Sequence, residues 1–212
     1  MKASFGIIAM LVMGTGALWA ANTTPCPAVG SDTNGCEYII TVTAVNGSGA
    51  ATAFTVALNA PDQGPYDAVE DTLVGIINNS GSVLKSITLP NTAGQFGFDG
   101  DGACIGGGTY NPGPTAAQCL NGVFGVGGSG FDDYLSATAT SFTNFAGATG
   151  TVNFNNIAAG GTSWFDLEGA LTANQLGGGS ITPAPSSLVL LSIGLAALAM
   201  FLFVRGKFAR AS

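Results

Sequence analysis

Short runs of alternating apolar and polar residues, each closed by glycine, asparagine or proline, constrain this chain most. Residues 37–45 put Tyr38, Ile40, Val42 and Ala44 on one face and Glu37, Thr41 and Thr43 on the other, the period-two pattern of a half-buried strand. Asn46-Gly47-Ser48-Gly49 turns the chain, and residues 53–58 align Phe54, Val56 and Leu58, so the two runs read as a hairpin. After a polar loop with Pro61 and Pro65, the stretch from Glu70 to Gly81 has a centre that is apolar on both faces, as in a strand covered on both sides. Residues 82–89 alternate again, Val83, Ile87 and Leu89 against Ser86 and Thr88, and Pro90 ends them. Further strands are expected at 95–99, 136–145, 149–157 and 162–167, with a short helix or turn at 131–135. Residues 102–130 are glycine-rich and too poor in β-branched side chains for regular sheet. About eight short strands without an amphipathic helix give an all-β class, an antiparallel β-sandwich.

The two ends carry targeting patterns. Lys2, the apolar stretch from Phe5 to Val12, and the small residues Ala20 and Ala21 form a secretory signal peptide over residues 1–21. Its partners are the Sec translocon and signal peptidase. At the other end, Pro183-Ala184-Pro185 precedes an uncharged apolar run, and Arg205, Lys207 and Arg210 follow it. As a helix, residues 187–204 span roughly the 30 Å hydrocarbon core of a bilayer. The prolines bar the helix from extending backwards, and the basic cluster acts as a stop-transfer signal that stays cytoplasmic. The expected organisation is therefore a signal peptide (1–21), an exported domain (22–172), a linker (173–182) and a membrane-anchoring tail (183–210).

All 12 acidic residues lie between Asp32 and Glu168, where Lys85 is the only base. Such a field repels phosphate backbones and excludes nucleic acid as a partner. The absence of histidine excludes Ser-His-Asp and Cys-His chemistry within this chain. It also removes the commonest transition-metal ligand. The cysteines fall into two local pairs, Cys26/Cys36 and Cys104/Cys119. In an exported chain they imply disulfides. Three connectivities exist, and the local one, Cys26–Cys36 with Cys104–Cys119, is adopted. Neither pair has Cys-x-x-Cys spacing.

Asp99-Gly100-Asp101-Gly102 is the leading candidate site. Two carboxylates on a glycine-rich turn can converge on one hard cation, and calcium accepts such oxygens. The pattern is not an EF-hand loop. Asp62, Asp67, Glu70 and Asp71 can add ligands if the loops meet. No other cofactor is implied. Gly125-Val126-Gly127-Gly128-Ser129-Gly130 matches a dinucleotide fingerprint by letter only, because Phe131-Asp132-Asp133 follows where a helix should meet phosphate. The acidic pairs Glu70/Asp71, Asp132/Asp133 and Asp166/Glu168 read as solvated surface rather than as glycosidase carboxylates. No catalytic residues are assigned. Trp164 and Phe165 read as core.

The Pro-x-Pro-Ser-Ser element at 183–187, the Leu/Gly/Ala-rich helix and the terminal basic cluster resemble the PEP-CTERM sorting signal of Gram-negative bacteria, with Ala184 where the family usually has Glu. Glu70-Asp71-Thr72-Leu73-Val74-Gly75, Asn78-Asn79-Ser80, Phe96-Gly97-Phe98-Asp99-Gly100-Asp101-Gly102 and Trp164-Phe165-Asp166-Leu167-Glu168 resemble the extracellular domain found with that tail. The resemblance implies a β-sandwich, an exosortase-type sorting enzyme as partner and an association with exopolysaccharide or surface assembly. It implies no catalytic residues. The expected protein is an exported, non-enzymatic component of the cell envelope or extracellular matrix, anchored until its tail is processed. The alternative is a calcium- or glycan-binding surface module.

Overall fold

The computed structural model describes residues 25–33, 35–59, 64–104, 110–120 and 132–178. The expected signal peptide, Asp62, the glycine-rich run at 125–130, Pro183, Ala184, Pro185, the helix at 187–204 and Arg205, Lys207 and Arg210 lie outside these residues. Among the described residues no helix is long and apolar enough to cross a membrane.

Among the described residues seven strands form two sheets: β1 (Tyr38–Val45), β2 (Ala51–Leu58), β3 (Thr72–Asn78), β4 (Leu84–Pro90), β5 (Ala139–Thr143), β6 (Thr149–Ile157) and β7 (Thr162–Leu167). One sheet has the order β2-β1-β3-β7 and the other β4-β6-β5. The all-β class holds, with the sheets stacked as a sandwich around one core. From the first sheet Ile40, Val42, Val74, Ile76 and Phe165 point inward. They meet Leu84, Ile87, Leu89, Val152 and Phe154 of the second.

A second apolar layer covers the outer face of the first sheet. Ile39, Leu73 and Trp164 pack there with Val29, Tyr66, Ala103 and both disulfides, Cys26–Cys36 and Cys104–Cys119. This is why β3 is apolar on both faces. It also fixes Gly75, since a Cβ at that position would lie 2.5 Å from Pro25 Cγ and closer still to Cys36 Sγ.

Three expectations are corrected. The fold is not purely antiparallel, because β1 pairs with β3 in parallel, Tyr38 with Val74 through Val42 with Asn78. The hairpin partner β2, built largely of Ala and Thr, takes the edge. The doubly apolar β3 takes the central place beside β1. Residues 95–99 are not a strand. Gln95 is buried and its side chain occupies backbone groups instead, accepting from Ala93 N–H and donating to the carbonyls of Pro90 and Gln175. Val83 is exposed and Leu84 takes the core position, because a register shift between Leu84 and Ser86 breaks the alternation. Leu58 is likewise exposed, at the end of an edge strand.

After β7, Leu171, Ala173 and Leu176 belong to the main core. Packing therefore continues into the stretch expected as linker.

Candidate metal centre

The strand directions bring three acidic segments to one end of the sandwich. β3 starts there, while β4 and β7 finish there. Asp67, Glu70 and Asp71 precede β3. Asp99 and Asp101 follow β4. Asp166 lies near the end of β7, and Glu168 just past it. Pairing of Leu73 with Asp166 and of Thr72 with Leu167 carries Asp71 toward Asp166 and Glu168. Lys85 lies at the opposite end, in a groove with Asn46 and Gly49 of the β1–β2 turn and Asn156 near the end of β6.

The loop before β3 is built by its own acid. One oxygen of Asp67 accepts the N–H groups of Val69, Glu70 and Asp71 at 2.8, 2.9 and 3.2 Å, a capped turn of the kind aspartate favours. Tyr66 anchors it. Its carbonyl accepts from Ser31 N–H at 2.8 Å, and its ring packs edge-on against Tyr110, centroids 5.0 Å apart. The Asp99–Asp101 turn is held from above. Asp99 N–H donates to Glu168 at 2.9 Å, and the N–H groups of Gly100 and Asp101 approach the Tyr134 hydroxyl at 3.2 and 3.3 Å. Gly102 permits this close approach, since a Cβ there would lie 2.7 Å from the Asp133 carbonyl oxygen.

Two tyrosine hydroxyls sit among the carboxylates. Tyr66 Oη lies 2.8 Å from Asp71 Oδ2 and 2.7 Å from Asp166 Oδ2. Tyr134 Oη donates to Glu168 and stands 3.1 Å from Asp99 Oδ1 and 2.9 Å from Asp101 Oδ1. Each hydroxyl has one proton, fewer than the acceptors around it. Asp71 and Asp166 are both fully buried, and the Oδ1 atom of each has no hydrogen-bond partner among the described residues. Two carboxylates about 5 Å apart repel by roughly 3 kcal/mol at an effective dielectric of about 20.

The titration behaviour follows from this crowding. Burial pushes Asp71 up to about 8, and burial followed by the charge of Asp71 raises Asp166 well above the usual carboxylate range. A hydrogen bond from Asp101 holds Asp99 low, while burial and then that same bond push Asp101 up to about 6. Burial, reinforced by the surrounding acids, raises Tyr66, Tyr110 and Tyr134. Without a cation, the cluster retains protons that ordinary carboxylates release.

The donor set suits a hard cation. One ligand oxygen from each of Asp67, Asp71 and Asp101 lies within 4.8 Å of the others, and the same is true of Glu70, Asp99 and Asp101. Oxygens so spaced can share an ion at the 2.3–2.6 Å typical of calcium. Zinc is ill served, because the chain has no histidine and all four cysteines are in disulfides.

Asp99 and Asp101, singled out from sequence, thus meet Asp67, Glu70 and Asp71. Asp71 and Asp166 are the corrections: both expected among solvated acidic pairs, they are buried on either side of the Tyr66 hydroxyl, and Asp166 also accepts Ala103 N–H at 2.7 Å. The roles of Tyr66, Tyr110 and Tyr134 were not legible, because apart from Asp71, five residues from Tyr66, their acidic partners lie on other segments. The one available signal was an aspartate inside an otherwise apolar strand, Trp164-Phe165-Asp166-Leu167. Trp164 and Phe165 are buried, as expected, and present no stacking face to a sugar. In comparisons with known proteins, no family model matches this chain, and neither does a curated protein or a solved structure.

Proposed function

We propose that this chain is an exported, non-enzymatic surface module whose acidic end binds a divalent cation, calcium foremost. The observation that carries the reading is the buried Asp71, with one oxygen on Tyr66 and the other unpartnered, inside a set of carboxylate oxygens spaced for one ion. A bound cation would satisfy that oxygen and neutralise the repulsion that otherwise keeps protons in the cluster. The carboxylates converge on a point rather than facing each other across a substrate-sized gap, which favours binding over glycoside hydrolysis. Two disulfides fit an oxidising, extracytoplasmic compartment.

Calorimetric titration of the metal-free protein with Ca²⁺, paired with thermal unfolding, tests this. Saturable heat and a raised Tm are expected; at one hundred times Kd the gain is about 2.7 kcal/mol. No heat and no shift would remove the cation.

The C-terminal pattern supports a second part of the reading: sorting by an exosortase-type enzyme, with the protein residing at the cell envelope or in an exopolysaccharide matrix. The intact mass of the mature protein from its own host decides it. A chain beginning near Asn22 and ending near Ser186 is expected. A chain running to Ser212 would mean a plain membrane anchor.

A further inference from the structure

We infer that the acidic end holds two calcium ions rather than one, bridged by the Asp101 carboxylate. This inference rests on the cation-binding reading above and goes beyond it in number, order and ligand assignment. Among the described residues the ligand oxygens form two triads, Asp67–Asp71–Asp101 and Glu70–Asp99–Asp101, which share Asp101. A carboxylate shared between two ions about 3.5–4 Å apart is the usual frame of a two-metal site. Charge points the same way. The two triads contain five carboxylates, with Glu168 and Asp166 behind them. A single divalent ion leaves most of that charge uncompensated, and the remaining field attracts a second cation.

The two positions are built differently. In the inner one Asp71 is fully buried, while Asp67 and Asp101 are half-buried. Each of its first two acids has one oxygen committed and the other available: Asp67 Oδ1 accepts three backbone N–H groups, and Asp71 Oδ2 accepts the Tyr66 hydroxyl while Oδ1 has no partner. That is a preorganised site, so it fills first. In the outer position Glu70 and Asp99 are exposed. Their side chains must be ordered on binding, and water completes the coordination, so this position is the weaker one.

The test counts ions on the mature, full-length protein, kept in detergent if the tail is retained, after removal of metal by chelation. Native mass spectrometry and equilibrium dialysis with Ca²⁺ are expected to give two ions per chain. Tyrosine-sensitised Tb³⁺ luminescence should fill in two phases, since Tyr66 and Tyr134 contact members of the two triads. Asp99→Asn and Glu70→Gln alter exposed side chains and leave the fold intact; each should reduce the count to one and keep the tight phase. Asp101→Asn should abolish both. One ion on the unaltered protein would overturn the two-ion site while leaving the cation reading standing. No ion at all would overturn both. Two ions that persist in Asp99→Asn and Glu70→Gln would show that the triads are not the sites, and so would overturn the assignment.

Discussion

Tyr66 Oη stands 2.8 Å from Asp71 Oδ2 and 2.7 Å from Asp166 Oδ2, so one phenol lies between two buried acids that are far apart in the chain. The contact exists because β3 and β7 pair with Leu73 opposite Asp166. It makes the acidic end a proton reservoir when no metal is bound, and several outcomes depend on that.

The metal-free protein should be most stable in mild acid. The folded-state pKa values of Asp71 and Asp101 are raised, to about 8 and about 6, above the roughly 3.9 of an unfolded chain. The folded state therefore binds more protons across that window, and stability falls as pH rises. The contribution is fully present below about pH 4 and lost as pH passes 8. Thermal unfolding in chelator should give a lower Tm at pH 8.5 than at pH 5, and Ca²⁺ should restore most of the difference at pH 8.5. A flat profile would mean that these acids hold no proton.

Tyr66→Phe should destabilise the fold by roughly 1–3 kcal/mol, because it leaves buried acid oxygens without their hydrogen-bond donor. Asp166 keeps Ala103 N–H, whereas Asp71 loses the one donor to its Oδ2 among the described residues. Urea unfolding at pH 7 measures the loss. A change under about 0.5 kcal/mol, the range of ordinary surface substitutions, would contradict the arrangement.

Gly75→Ala tests the outer layer. The new Cβ would meet Pro25 and the Cys26–Cys36 bridge, and overpacking of this kind costs about 1–3 kcal/mol. A midpoint shift in denaturant at unchanged slope is expected.

Replacing Cys104 and Cys119 together by alanine should cost about 3 kcal/mol, the chain-entropy value for a loop of their separation, 15 residues. Because Ala103 adjoins this bridge and donates to Asp166, Ca²⁺ affinity should fall as well. Unchanged affinity in calorimetry would show that the bridge does not support the acidic end.

Much of the fold was legible where local pattern and burial agree. The strands at 149–157 and 162–167 coincide with β6 and β7: β6 alternates cleanly because one of its faces meets the core, and β7, buried on both faces, is bounded by its flanking turns. Legibility failed where a tertiary partner intervened. Gln95 replaced strand pairing with its own amide, and the Leu84–Ser86 shift turned Val83 outward. At the site, the spacing of Asp99 and Asp101 was visible because both lie on one turn. Asp166 was misread, because adjacent acids in a sequence do not reveal which of them a neighbouring strand will cover.

The residues alone therefore determined most of the strands, the Asp99–Asp101 turn and the exclusion of histidine chemistry, since all of these depend on neighbours in sequence or on composition; of three possible disulfide connectivities, the structure holds the local one. Tertiary structure decided the parallel pairing of β1 with β3, the covering of the first sheet on both faces and the gathering of Asp67, Glu70, Asp71, Asp166 and Glu168 around two tyrosines. Those outcomes depend on which strand ends share one edge of the sandwich. Long-range pairing sets that, and it is the pairing that places like charges where only protons or cations can balance them.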